Sequence, residues 1–151
     1  MTVTINDPEA IRTALLTPGT WAVVGLSNNS ARTAYRIADW LIDPLGHTII
    51  PVHPSAEAVF GQQGYAGLAD IPDGTKVDVV DCFVRSELVG AVVDEAIAEK
   101  DRLGIRMVWL QLGVIDEAAA ERAAEAGLEV VMDTCPKIEY PKVTESDMFG
   151  S

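Results

Sequence analysis

The sequence predicts an α/β protein of the Rossmann-like, doubly wound type, with a mainly parallel sheet of five or six strands and helices on both faces. Two observations predict the architecture: short β-branched runs alternate with helically spaced apolar stretches, as in βαβ units, and several strand candidates are almost continuously apolar, as strands covered on both faces are. A third bounds the size. The chain has 151 residues, 48% of them hydrophobic and 23% charged, a length and composition suited to one globular domain with one core. The expected organisation is a single domain: a leading helix in residues 1–19, a core over about 20–142 and a tail over 143–151.

The elements follow in order. Asp7-Pro8-Glu9 offers an N-cap, a proline at the first helical position and an acid in the first turn, and Pro18-Gly19 closes that helix. Trp21-Ala22-Val23-Val24-Gly25 reads as the first strand. Ala34, Ile37, Ala38 and Leu41 then mark a helix from about Arg32 to Ile42, ended by Pro44 and Gly46. Thr48-Ile49-Ile50-Pro51-Val52 is the second strand, followed by a glycine-rich irregular stretch through Tyr65 and Leu68 to Ile71-Pro72. The third strand is Val77 to Val84. Ser86 is the expected cap of a helix with the apolar stripe Val89, Val92, Val93, Ala96 and Ile97, and Met107 to Leu112 is the fourth strand. Asp116 caps an alanine-rich helix ended by Gly127, and Leu128 to Met132 is the last strand before a tail from Asp133.

Composition excludes several function classes. Twenty-three acids against eleven bases give a formal charge of −12, which repels a phosphate backbone and leaves no basic stripe, so nucleic acid is not an expected partner. An anionic ligand would need a local device, such as helix N-terminal amides or one or two placed arginines. The N-terminal residues form no export signal and no run is long enough to span a membrane, so the expected location is cytoplasmic with no membrane partner. Cys82 and Cys135 read as thiols, and with His47 and His53 they form no metal-spaced cluster.

In a doubly wound sheet the ligand lies beyond the carboxyl ends of the strands, which selects the residues after each one. After the first strand, the turn Gly25-Leu26-Ser27-Asn28-Asn29-Ser30-Ala31-Arg32-Thr33 is either a phosphate cradle or an ordinary polar loop, since only the first glycine of G-x-G-x-x-G is present. After the second, Pro51-Val52-His53-Pro54 stands where an NAD-binding protein places a ribose-binding acid; the first acid beyond is Glu57. The prolines would form a rigid wall for an adenine or simply end the strand. Phe83-Val84-Arg85 follows the third strand, and Arg85 is either a bidentate phosphate partner or a surface cation misplaced against a helix dipole. Gln111 ends the fourth strand, and Cys135 lies just past the fifth, as a ligand-facing thiol or a plain packed cysteine. Cys82, Asp78 and Asp81 read as core or hydrogen-bonded strand residues.

Together, Val23-Val24-Gly25-Leu26-Ser27, Ile50-Pro51-Val52-His53-Pro54, Asp70-Ile71-Pro72, Val77-Asp78-Val79-Val80-Asp81, Val108-Trp109-Leu110-Gln111-Leu112-Gly113, Ala126-Gly127-Leu128 and Val131-Met132-Asp133-Thr134-Cys135-Pro136 resemble the small CoA-binding proteins related to the CoA-binding domain of the succinyl-CoA synthetase alpha subunit. The resemblance runs from about Trp21 to Lys142. It implies coenzyme A or an acyl-CoA across the carboxyl edge, with the pyrophosphate near Gly25 and Ser27 to Thr33 and the adenosine near Pro51 to Pro54. Phe83, Val84, Arg85, Gln111 and Cys135 would line the remainder. Family members often carry Asn at the place of His53, and an arginine or similar residue at the place of Thr134.

No complete catalytic set stands out: there is no supported Ser-His-Asp order, no facing pair of carboxylates and no lysine in a defined pocket. The synthetase relatives use a phosphohistidine and a nucleotide-binding partner from regions outside the CoA-binding unit, and the chain is expected to lack them. The leading expectation is therefore a carrier, sensor or accessory protein that binds CoA without its own catalytic site. The alternatives are a CoA-binding subunit of an acyl-CoA ligase with a separate enzyme subunit, a nicotinamide-dependent oxidoreductase, and an interaction protein with an empty cleft. Self-association into a homo-oligomer is open.

Overall fold

The computed structural model describes residues 4–148; residues 1–3 and 149–151, the outer ends of the expected leading segment and tail, lie outside the described residues. Helix α1 spans Pro8–Leu16, capped by Asp7, whose carboxylate accepts from the Ala10 N–H at 3.3 Å. The strands are β1 (Thr20–Val24), β2 (Thr48–Val52), β3 (Val79–Cys82), β4 (Met107–Leu110) and β5 (Glu129–Val131). The helices between and after them are α2 (Thr33–Ile42), α3 (Ser86–Leu103), α4 (Glu117–Glu125) and α5 (Pro136–Met148). A 3₁₀ turn at Leu68–Asp70 interrupts the β2–β3 connection.

Among the described residues the strands form one all-parallel sheet in the order β2-β1-β3-β4-β5, so the doubly wound expectation holds with the lower strand count. The order reverses between β1 and β3, where successive crossovers leave on opposite faces and open a crevice at the carboxyl edge. Pro51 is tolerated because β2 is an edge strand; its carbonyl accepts from the Tyr65 N–H at 3.0 Å on the side away from β1.

Strand alternation assigns each face. Trp21, Val23, Val79 and Trp109 point to the layer of α1, α2 and α5, where Ile11, Leu15, Ile37, Leu41 and Val143 bury them. Ala22, Val24, Val80, Val108 and Leu110 point to α3 and α4, against Val89, Val93, Ala96, Ala119 and Ala123. The Trp21 and Trp109 rings meet at a tilt of 39° with centroids 5.6 Å apart, and the Trp109 indole N–H donates to the Thr134 carbonyl at 2.9 Å. His47 is a packing residue: Gly19 N–H donates to its Nδ1 and its Nε2 meets the Leu15 carbonyl, both at 3.1 Å. Burial holds it below the usual histidine range, so it is neutral.

Two elements depart from the sequence expectation. The segment read as a tail from Asp133 forms α5, which packs on α1 and runs through residues 143–148 of the expected 143–151 tail. Pro141 hides it, since an internal proline reads as a helix stop; tertiary contacts hold the helix instead. Trp40 meets Tyr140 edge-on at 5.4 Å, Val143 is buried, and Thr134 Oγ1 donates to Glu139 at 2.6 Å. The second departure is at α3, whose N-cap is Arg85 rather than Ser86. Ser86 begins the helix and spends its hydroxyl on the neighbouring loop.

Candidate functional site

A cleft of about 680 Å³ opens at the reversal of strand order, between the carboxyl ends of β1, β2 and β3. Its floor depends on Gly25. With φ +99° this residue turns out of β1 while its N–H donates to the Val52 carbonyl at 2.7 Å, and a Cβ there would run into the Phe83 carbonyl oxygen. Glycine is therefore required both by backbone conformation and by close approach of two chain segments. Ser27, Asn29, Arg32 and Ala34 line one wall, His53 and Pro54 a second, and Phe83, Val84, Arg85 and Leu88 a third.

The electrostatics come from two helix starts. Helices α2 and α3 both begin at this cleft, both have arginine at the N-cap (Arg32 and Arg85), and neither has a side-chain hydrogen bond to its first-turn amides. By contrast α1 and α4, which do not start at the cleft, are capped by Asp7 and Asp116. Uncapped amides carry the positive end of the helix dipole, and an arginine beside them adds like charge. That arrangement is unfavourable in isolation and becomes favourable with an anion between the two helices. Arg85 has a side-chain exposure of 74% and only a loose 4.0 Å pairing with Glu87, so its guanidinium can swing to a ligand.

The rim histidine has a defined tautomer. His53 Nδ1 accepts from the Ser55 N–H at 3.1 Å and lies 2.9 Å from the Ser55 hydroxyl, which leaves Nε2 to carry the proton as a donor. Glu57, the first acid after β2, is not among the cleft-lining residues, and its carboxylate accepts from the Asn28 N–H at 2.6 Å. The Asn28 side-chain amide donates to the Ala58 carbonyl at 2.8 Å, so Asn28 pins the β1–α2 loop to the segment after β2.

Other expected positions lie off the cleft. Leu26 and Val52 are buried in the two cores, Pro51 is buried within β2, and Thr33 is the exposed first residue of α2. Gln111 is buried and donates through Nε2 to Asp81 Oδ1; Asp81 Oδ2 is buried without a partner. Desolvation pushes the Asp81 carboxyl up to about 8, so it is protonated at neutral pH. Cys135 is half-buried beside α5, and burial raises its thiol above the ordinary range despite the amides at the start of α5. It is therefore a thiol rather than a thiolate nucleophile. Among the described residues no group of three or more His, Cys, Asp and Glu is placed to hold a metal ion.

Residues 19–141 match the family described as the CoA binding domain. The chain belongs to this CoA-binding domain family. It is similar to the Bacillus subtilis protein YneT, with 35% identity over 119 residues that cover 79% of this chain and 83% of that one. It is also similar to a solved structure of a hypothetical protein from Pyrococcus horikoshii, with a TM-score of 0.80, 31% identity, and coverage of 95% of this chain and 99% of that one. A third likeness is to an ADP-forming 4-hydroxybutyrate–CoA ligase of Nitrosopumilus maritimus, 23% identical over 128 residues. That match covers 80% of this chain but 18% of the ligase.

In this CoA-binding domain the cleft also takes in Val24, Ala34 and Leu88, which the sequence did not single out, and Asn29, which lies within the Ser27 to Thr33 stretch expected near the pyrophosphate. A signal existed for Leu88: it falls off the apolar stripe of its own helix, which buries Val89, Val93 and Ala96. Within the expected stretch, the loop's direction decides which of the two adjacent asparagines lines the cleft, and it is Asn29 rather than Asn28.

Proposed function

We propose that the chain binds coenzyme A or an acyl-CoA along the carboxyl edge of the sheet and acts as a carrier, sensor or accessory protein without a catalytic site of its own. The carrying observation is the pair of uncapped helix starts with Arg32 and Arg85 at the N-caps, facing one cleft in a molecule whose formal charge is −12. The pyrophosphate sits across the amides of α2 and α3, within reach of both guanidinium groups. The adenosine lies toward His53 and Pro54, and the pantetheine runs past Phe83, Val84 and Leu88 toward the ends of β4 and β5, where Gln111 and Cys135 stand behind it. Family membership supports the ligand class.

The same geometry argues against a nicotinamide dinucleotide, because Glu57 is committed to the Asn28 N–H and no acid after β2 lines the cleft. It also argues against covalent catalysis, because Asp81 is sealed in the core and Cys135 is held as a thiol. Among the described residues no helix is long and apolar enough to cross a membrane, and the two cysteines are free, which supports a reducing compartment such as the cytoplasm. A second reading, the CoA-binding subunit of an acyl-CoA ligase working with a separate nucleotide-binding chain, is favoured by the Nitrosopumilus relative.

Substitution of the two arginines tests the site. Arg85→Ala and Arg32→Ala should each weaken CoA binding by about 1.5–3 kcal/mol, the worth of a charge-assisted contact, as read by calorimetric titration. Wild-type affinity in both variants would remove the phosphates from this cleft. A larger chain that co-purifies and confers ATP-dependent thioester formation would favour the ligase reading.

A further inference from the structure

Five large apolar side chains are exposed among the described residues: Ile5, Leu88, Leu112, Ile115 and Ile138. Four of them lie where strands hand over to helices at the carboxyl edge. Leu88 is in the first turn of α3, Leu112 and Ile115 are in the β4–α4 loop, and Ile138 is in the first turn of α5. The core does not use the first three. Helix α3 packs through Val89, Val93 and Ala96, and the β4–α4 loop is anchored by buried Val114, which leaves Leu88, Leu112 and Ile115 exposed at 49%, 62% and 46%.

Polar contacts tie the loop that carries Leu112 and Ile115 to the start of α3, two residues before Leu88. Ser86 Oγ accepts from the Ile115 N–H at 3.0 Å and donates to the Gly113 carbonyl at 3.3 Å, which ties the β4–α4 loop to the start of α3. Asp133 Oδ1 accepts from the Gly113 N–H at 2.8 Å and fixes the loop from its other side. Leu88 also lines the cleft, so the apolar stretch continues the cleft's third wall. With parallel strands about 4.8 Å apart, it begins roughly one strand spacing beyond β3.

The edge's cations thus lie on one side. Over β2, β1 and β3 it presents Arg32 and Arg85 with Ser27 and His53, set among the apolar Phe83 and Val84; over β4 the run Leu112-Gly113-Val114-Ile115 carries no charge. A ligand matching both halves has an anionic head and an apolar tail. Free CoA would leave the shelf in water, and a dicarboxylic acyl group would bring a carboxylate to a run without a cation. We infer that the preferred ligand is a CoA thioester of an apolar acyl chain, medium length or longer, which lies on Leu112 and Ile115, beyond the pantetheine at Leu88. The inference rests on the CoA reading above and specifies the acyl class for the same site.

Calorimetric titration of the whole chain with CoA, succinyl-CoA and octanoyl-CoA tests it, on wild type and on the double variant Leu112→Ser/Ile115→Ser, whose substitutions are at exposed positions. Octanoyl-CoA should bind wild type about tenfold or more tighter than CoA, as burial of two methylenes would give, and succinyl-CoA no tighter than CoA. In the double variant the octanoyl advantage should fall to within about twofold while CoA affinity is unchanged. Equal binding of CoA and octanoyl-CoA by wild type would overturn the acyl shelf and leave the CoA reading standing. So would an octanoyl preference that survives both serines. Silence toward all three ligands would instead sink the CoA reading itself. Sedimentation velocity covers the remaining occupant: a wild-type dimer that the double variant abolishes would assign this face to a second copy and overturn the inference.

Discussion

At the residue scale, Gly25 answers two backbone needs at once, a left-handed φ and the close approach of the Phe83 carbonyl. Gly25→Ala should lower stability by about 1–3 kcal/mol through backbone strain and the forced shift of β3's end, seen as a lower urea midpoint. Asp81 is legible only as a hydrogen-bonded strand residue, because periodicity gives a side chain's face and not its depth. Its folded-state carboxyl titrates at about 8, above its unfolded value. Between about pH 4 and pH 8 the unfolded chain has lost the proton that the folded chain keeps, so this group makes stability fall as pH rises through that window and level off above it. Asp81→Asn mimics the protonated acid and keeps an acceptor for the Gln111 amide. Its stability relative to wild type should therefore improve steadily from about pH 4 to pH 8, and a constant difference across that range would contradict the assignment.

At the element scale, the informative feature is where capping is withheld. Asp7 and Asp116 are legible as caps because an acid directly before an apolar periodic run has a standard use. Ser86 misleads for the same reason: the residue type suits a cap, yet the helix begins one position earlier and the hydroxyl serves the β4–α4 loop. The expected strand ends run long by up to two residues, as at β3 and β4, because apolar composition continues past the last ladder bond. Pro141 conceals helix α5. The two uncapped helices exchange stability for anion binding. Arg32→Asp should supply the missing cap and stabilise the ligand-free protein by about 1 kcal/mol, raising its melting temperature. The same change should weaken CoA binding, because a carboxylate then occupies the anion's place. A variant that gained stability and kept full affinity would separate the helix start from the ligand.

At the scale of the whole molecule, the fold class is available from alternation alone, and the cleft's location follows from one topological rule once the strands are counted. Strand order is not available, since it depends on which crossover leaves from which face; the order β2-β1-β3-β4-β5 puts the reversal between β1 and β3 and brings Gly25, His53 and Arg85 to one cleft. The candidate positions that lie off the cleft, among them Leu26, Asn28 and Gln111, are singled out by proximity in sequence to strand ends. Turn geometry rotates them into the core or onto a neighbouring segment. The net charge of −12 makes the cleft a local exception, and a local exception should be selective. Titration calorimetry of the reduced protein with CoA and with NAD, at matched ionic strength, tests this most directly. Saturable one-to-one binding of CoA with no heat from NAD is the predicted result, whereas NAD binding with CoA silent would contradict the account at its centre.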